Sequence, residues 1–184
     1  MGRAREIADL IGGTTPDIIL KTSDGAILNL QTSDTTVTAD SVLGAINFQA
    51  PDEADGTDSI LVASKIEAIA EGTFSASSNA TSLVFSTASS AAAGTVSGKM
   101  TFTSGGNLII KDTDTADGSS PTITLQSGDT DIAANDVLGS INFQAPDEGT
   151  GTDAILVAAG IEAVSEGDFS SSSNATKLVF KTGA

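Results

Sequence analysis

The chain is written twice, and that duplication limits what it can fold into more than any other feature. Leu43-Gly-Ala-Ile-Asn-Phe-Gln-Ala-Pro-Asp-Glu53 returns as Leu138-Gly-Ser-Ile-Asn-Phe-Gln-Ala-Pro-Asp-Glu148 about 95 residues later, and the register holds to the end. Ile60 to Ala63 becomes Ile155 to Ala158, Glu71-Gly72 becomes Glu166-Gly167, Ser77 to Thr81 becomes Ser172 to Thr176, and Leu83-Val-Phe85 becomes Leu178-Val-Phe180. About two-thirds of the positions from Leu28 to Thr87 are identical in the second copy. Upstream, Ile18-Ile-Leu-Lys21 matches Leu108-Ile-Ile-Lys111, with about five extra residues between Lys111 and Thr122 that place a loop there. The expected organisation is an N-terminal segment, 1–15, then a first unit, 16–98, ending in an Ala, Ser and Gly linker, then a second unit, 99–184.

Within each unit the pattern reads as short strands in a meander. Ile18 to Lys21 and Ala26 to Leu30 flank a Ser23-Asp24-Gly25 turn, and Leu43 to Ala50, Ile60 to Ala70 and Leu83 to Thr87 follow. Ile66, Ile69 and Ala70 would also suit a helical face, but the β-branched content favours sheet. With period two, Leu83, Phe85 and Thr87 share one face, and Ser82, Val84 and Ser86 the other. Ser82 and Ser86 are Lys177 and Lys181 in the second copy, so the Leu83 and Phe85 face is expected inside. Ile46, Phe48 and Ala50 likewise oppose Ala45, which is Ser140 in the second copy. Ser86 to Gly98, made of Ala, Ser, Thr and Gly, is expected to be a crossover linker between the units.

Such strands present one narrow apolar face. Leu, Ile, Val and Phe together make up about a quarter of the 184 residues, too few for a thick core. A single sheet of this kind cannot bury its apolar side alone, whereas three copies around an axis could. The expected fold class is therefore all-β: a repeat-built trimeric fibre of short β-meander or β-prism units with a short N-terminal helix. Its trimer core is expected to use Ile46, Phe48, Phe74, Leu83 and Phe85, with their equivalents Ile141, Phe143, Phe169, Leu178 and Phe180. Six of the seven Phe fall at repeat-equivalent positions, which core packing explains most simply. Residues 1–13 stand outside the repeat. Ile7, Leu10 and Ile11 have helical spacing before Gly12-Gly13, and Arg3 and Arg5 are the only arginines, so this segment is the expected attachment point.

Missing residue types remove whole classes of chemistry. With no Cys and no His, the chain holds no thiolate nucleophile, no Cys or His zinc site, no Ser-His-Asp triad and no disulfide. A net charge of −16 repels phosphate backbones and anionic lipid, so neither nucleic acid nor a membrane is an expected partner. No apolar run reaches the roughly 20 residues of a transmembrane helix, and Asp9 interrupts the N-terminus as a signal peptide. Asp112 to Gly118 resembles a calcium loop, but its third acid comes one residue late and no Glu stands at position 12, so a solvated turn is expected. The acid-rich stretches from Pro51 to Asp58 and Pro146 to Asp153 carry turn chemistry, and Asp55 is Thr150 in the second copy. Asn79-Ala-Thr81 and Asn174-Ala-Thr176 match a glycosylation sequon but read as simple loops. No catalytic residue, metal or cofactor is expected.

The pattern Leu43-Gly-x-Ile-x-Phe-x-Ala50, then Ile60 to Ala70, then Glu71-Gly72, then Leu83-Val-Phe-x-Thr87, with its second copy, resembles repeats in the shafts of tail fibres from marine and cyanobacterial phages. It covers nearly the whole chain. The resemblance implies a non-enzymatic virion protein of the tail, made in the host cytoplasm. It further implies a homotrimeric shaft, an N-terminus held by a tail adaptor, nozzle or baseplate protein, and a distal part that meets the host receptor. A bacterial surface adhesin repeat and a polysaccharide-degrading tailspike segment are the alternatives. The second copy reaches Lys181-Thr-Gly-Ala184 where the first enters its linker, so the natural chain is expected to continue.

Overall fold

The computed structural model describes residues 20–21, 23–49, 61–88, 96–145 and 156–183. Eight strands form: β1 (Val42–Gln49), β2 (Val62–Ala70), β3 (Thr81–Ala88), β4 (Val96–Phe102), β5 (Leu108–Ile110), β6 (Val137–Gln144), β7 (Val157–Ser165) and β8 (Thr176–Thr182), with no helix among the described residues. The chain divides into two compact units after Pro121. The first holds an antiparallel five-stranded sheet in the order β1-β2-β3-β4-β5, and the second a three-stranded antiparallel sheet, β6-β7-β8. The all-β reading stands. The expected N-terminal helix, with Arg3, Arg5, Ile7, Leu10 and Ile11, lies outside the described residues, as do the acidic stretches 51–58 and 146–153.

The sequence repeat is also a backbone repeat. Gly44, Ile46 and Phe48 of β1 face Ala68, Ile66 and Ser64 of β2, while Gly139, Ile141 and Phe143 face Ala163, Ile161 and Ala159, and register shifts fall at the same two places in both pairs. The turn into the first strand repeats as well: Asp40 N donates to Ala70 O and Asn135 N to Ser165 O, both at 2.9 Å. Asp40 (φ 67°) and Asn135 (φ 77°) hold left-handed backbone there, the conformation that Asp and Asn tolerate better than other side chains. Ile60 to Ala70 had two readings, and the central strand β2 decides for sheet. Its Val62, Ile66 and Ile69 are shaped for a pleated surface paired on both sides.

Three expectations are corrected. Ala26 to Leu30 forms no strand, and neither do Leu20 and Lys21. The Gly25 backbone (φ 99°) follows the bend at Ser23-Asp24, and the segment then runs beside β1 without pairing to it. A side chain at Gly44 would put its Cβ 2.7 Å from Leu30 Cβ, and one at Gly139 would come 2.8 Å from Leu125 Cβ. Glycine thus admits the leucine against the strand in both copies. Leu28 and Leu30 wall a shallow groove of about 270 Å³ with Ile46, Ile66 and Leu83.

At the two ends of the stretch expected as a linker, Ser86 to Ala88 close β3 and Val96 to Gly98 open β4, while residues 89–95 lie outside the described residues. Lys99-Met-Thr-Phe102 folds back onto β3, and with β5 it completes the first sheet. The alternating Met100 and Phe102 lie opposite Phe85 and Leu83, and the Thr103 to Asn107 turn closes through Thr103 N to Asn107 O at 3.0 Å, with Gly106 at φ 78°. The first sheet therefore extends past residue 98, where the repeat begins its second copy.

The third correction concerns faces. Within one chain, Val84 (9% exposed) and Ser86 (3%) are the buried side of β3, and Leu83 (41%) is open. Val84 is flanked by Glu67 and Thr101, and Ser86 by Lys65 and Gly98, so long side chains and a close strand surround them. Gly98 is part of that closeness, since a Cβ there would sit 3.0 Å from Val84 Cγ1.

Candidate functional site

Directly opposed residues in an antiparallel ladder point to the same side, so the register defines the faces. Ile46, Ile66, Phe85, Met100 and Ile110 make one unbroken row across the five strands of the first sheet. Beside it run Gly44, Ala68, Leu83, Phe102 and Leu108. The Phe85 and Phe102 rings meet edge to face at 6.2 Å and 74°, the arrangement that aromatic quadrupoles favour. In the second sheet the same rows are Ile141, Ile161 and Phe180, and Gly139, Ala163 and Leu178.

A self-sufficient domain would bury such rows. Here they lie open: Phe48 is 52% exposed and Phe180 72%, and Ile46, Leu83, Ile141, Phe143 and Leu178 are exposed as well, while Phe85 is half-buried. Among the described residues only Ala70, Val84 and Val164 are buried apolar side chains. Fully burying one Ile, Leu or Phe stabilises by about 1.5–3 kcal/mol, so covering these rows would add substantially to the stability of the sheets.

Of the ten residues expected in a shared core, the first sheet thus brings Ile46, Phe48, Leu83 and Phe85 to one face, and the second brings Ile141, Phe143, Leu178 and Phe180 to one face. Phe74 and Phe169 are not on these rows. Each follows its central strand in a turn, with Phe74 N donating to Val37 O and Phe169 N to Ile132 O at 3.0 Å. Phe169 walls a cleft of about 300 Å³ with Leu125, Gln126, Asp129, Ile132 and Leu138. Sequence reasoning missed Met100, Phe102, Leu108 and Ile110, although the alternation in Lys99 to Phe102 was there to be read.

The opposite face carries charge. Lys65 Nζ lies 2.7 Å from Glu67 Oε1, and Lys181 Nζ 2.5 Å from Glu162 Oε2. At the end of the first sheet, Glu71 accepts hydrogen bonds from Ser104 Oγ and Ser82 Oγ and, at 2.9 Å, from Ser104 N. The Ser104 hydroxyl first, then the Ser82 hydroxyl and the Ser104 amide, hold its carboxyl below the ordinary Glu value. Asp112 to Gly118 forms a chain of Asx turns: Asp112 Oδ1 accepts from Asp114 N, and Asp114 Oδ1 from Ala116 N, both at 2.9 Å. Among the described residues no group of three or more acidic side chains converges as a metal site would require. Thr81 and Thr176 turn their hydroxyls to the carbonyls of Asn79 and Asn174 at 2.9 Å, closing the two loops.

No protein-family model and no curated protein matches the chain. Among solved structures it is similar to the carboxy-terminal domain of the bacteriophage T5 L-shaped tail fibre, at 12% identity and a TM-score of 0.44, over 89% of this chain and 80% of that one.

Proposed function

We propose that the chain is a structural, non-enzymatic segment of a phage tail-fibre shaft, assembled as a homotrimer in which the apolar sheet faces of three copies meet around the fibre axis. One observation carries this reading: two sheets of matching register each leave an apolar row open, and only three apolar side chains among the described residues are buried. Tandem copies of one unit suit a shaft, because each added copy lengthens the same surface. The resemblance of the Leu43 to Ala50 and Leu83 to Thr87 patterns to tail-fibre repeats of marine and cyanobacterial phages supports the assignment to a virion. In this reading residues 1–15 attach to a tail protein, with Arg3 and Arg5 supplying charge and Ile7, Leu10 and Ile11 an apolar stripe. Host recognition belongs to a distal part of the fibre.

Purified particles carrying an affinity tag on this chain, decorated with gold and imaged, test the role. Label on fibres projecting from the tail is expected. Particles free of label, or label on the capsid, would overturn it. Removing residues 1–13 should leave the sheets folded and abolish incorporation into particles, and normal incorporation would refute the attachment role.

A further inference from the structure

A hollow and a knob lie on the same apolar face of the first sheet. Gly44 and Ala68 are directly opposed, and their small size leaves the groove of about 270 Å³ that Leu28, Leu30, Ile46 and Leu83 wall. Glu67 borders the groove between Ile66 and Ala68, with its carboxylate paired to Lys65 on the opposite face. Phe48 stands four residues along β1 from Gly44, about 13 Å away at about 3.3 Å per residue. It is 52% exposed, and its ladder neighbours Ser64 and Thr87 are small. The second unit repeats the set: Gly139 opposes Ala163, Ala163 opposes Leu178, and Leu125 lies against Gly139, while Phe143, 54% exposed, has Ala159 and Thr182 as ladder neighbours. Of the three aromatic pairs that the repeat aligns, only Phe48 and Phe143 are exposed in both copies.

We propose, resting on the homotrimer proposed above, that Phe48 of each copy enters the Gly44 and Ala68 groove of the next copy, and Phe143 the equivalent place over Gly139 and Ala163. The occupant is a second copy of this chain for reasons of charge and reach. Chains of net charge −16 repel one another, so they meet best through an uncharged surface, and the rows Gly44-Ala68-Leu83, Ile46-Ile66-Phe85 and Phe48-Ser64-Thr87 carry no charge. A groove cannot take Phe48 from its own chain, because β1 holds the ring too far along the strand. Aromatic side chains seated in small pockets are the usual anchors of protein interfaces. Knob and hollow differ, so each copy gives Phe48 to one neighbour and receives it from the other, and the ring closes after three. Closure needs the two displaced around the axis, so β1, which carries both Phe48 and Gly44, runs across the fibre axis and not along it.

The chain has no cysteine, so Phe48→Cys with Ala68→Cys supplies the only thiols. The full chain carrying both is treated with a thiol-to-thiol cross-linker too short to span the distance of about 13 Å within one chain. Denaturing electrophoresis should show a covalent trimer, and neither single variant should give a cross-linked product. Phe143→Cys with Ala163→Cys leaves the first unit's contact intact and should give the same covalent trimer. Light scattering on the same samples separates the two claims. Trimeric scattering with only single chains on the gel for both pairs would overturn the knob and groove while leaving the homotrimer standing. Cross-linking by Phe48→Cys alone would also overturn it, because Phe48 would then meet its own equivalents at the axis. Monomeric scattering of the unsubstituted chain would overturn the homotrimer and this contact with it.

Discussion

Ser86 lies directly opposite Lys65 across the β2–β3 ladder, and in the second unit the same two positions hold Lys181 opposite Gly160. The cation has moved from the central strand to its neighbour while the carboxylate has stayed, as Glu67 in one copy and Glu162 in the other. Glu67 is 6% exposed, and a carboxylate that shielded needs a partner because an unpaired buried charge is costly. Along the sequence, Lys65 to Gly160 and Ser86 to Lys181 look like unrelated changes. On the sheet they are one exchange.

Lys65→Ala should therefore destabilise the first unit by about 1–2 kcal/mol, below the cost of breaking a fully buried pair because the lysine is partly solvated. Lys65→Gly with Ser86→Lys, which copies the second unit into the first, should recover more than half of that loss. Urea unfolding at fixed protein concentration measures both. A double variant no more stable than Lys65→Ala would show that the exchange is not compensatory.

The pH dependence of the first unit should centre on Glu71. Its folded-state pKa is lowered by the Ser104 and Ser82 hydrogen bonds, so its contribution is fully present above the ordinary Glu value of 4.5 and is lost as pH falls through the lower folded value. The Ser104 amide resonance should titrate with a midpoint below 4.5, and Glu71→Gln should remove that titration. A midpoint at or above 4.5 would mean that the carboxylate is not held.

Gly44→Ala and Gly139→Ala should each cost about 1–3 kcal/mol, because the new Cβ meets the Cβ of Leu30 or Leu125 well inside contact distance. Gly72→Ala is the control, with nothing within 4 Å of an added Cβ, and its stability should stay within about 0.5 kcal/mol of the parent. Thermal unfolding of the three variants separates these outcomes.

Much of this fold was legible in the sequence, and the exceptions have physical causes. The strands containing Ile46, Ile66 and Phe85 were readable because alternation and duplication agree there. Val96 to Phe102 was not, because the start of the second repeat falls beside it and drew Lys99 to Phe102 toward the wrong unit; hydrogen bonding follows space, not the period of duplication. Ala26 to Leu30 has the composition of a strand, but Gly44 lets Leu30 press onto the face of β1 where a Cβ would stand, a close approach that no alternation reveals. Val84 and Ser86 are buried in the first unit, opposite Lys65, Glu67 and β4, whereas Lys177 and Lys181 in the second unit are exposed, so the substitutions to Lys marked solvent in that copy and, at Lys181, the relocated ion pair as well. The apolar rows themselves could be predicted, but their continuation through Met100, Phe102, Leu108 and Ile110 depended on the unforeseen hairpin.

The mass of the folded protein in solution tests the central claim most directly. Light scattering on the purified chain at micromolar concentration should give about 55 kDa, three times 18.3 kDa, and Ile46→Asp with Ile141→Asp should lower that mass by placing charge in both apolar rows. A species of 18.3 kDa that keeps its full set of protected strand amides would contradict the claim, because a single chain would then be stable with its apolar rows in water.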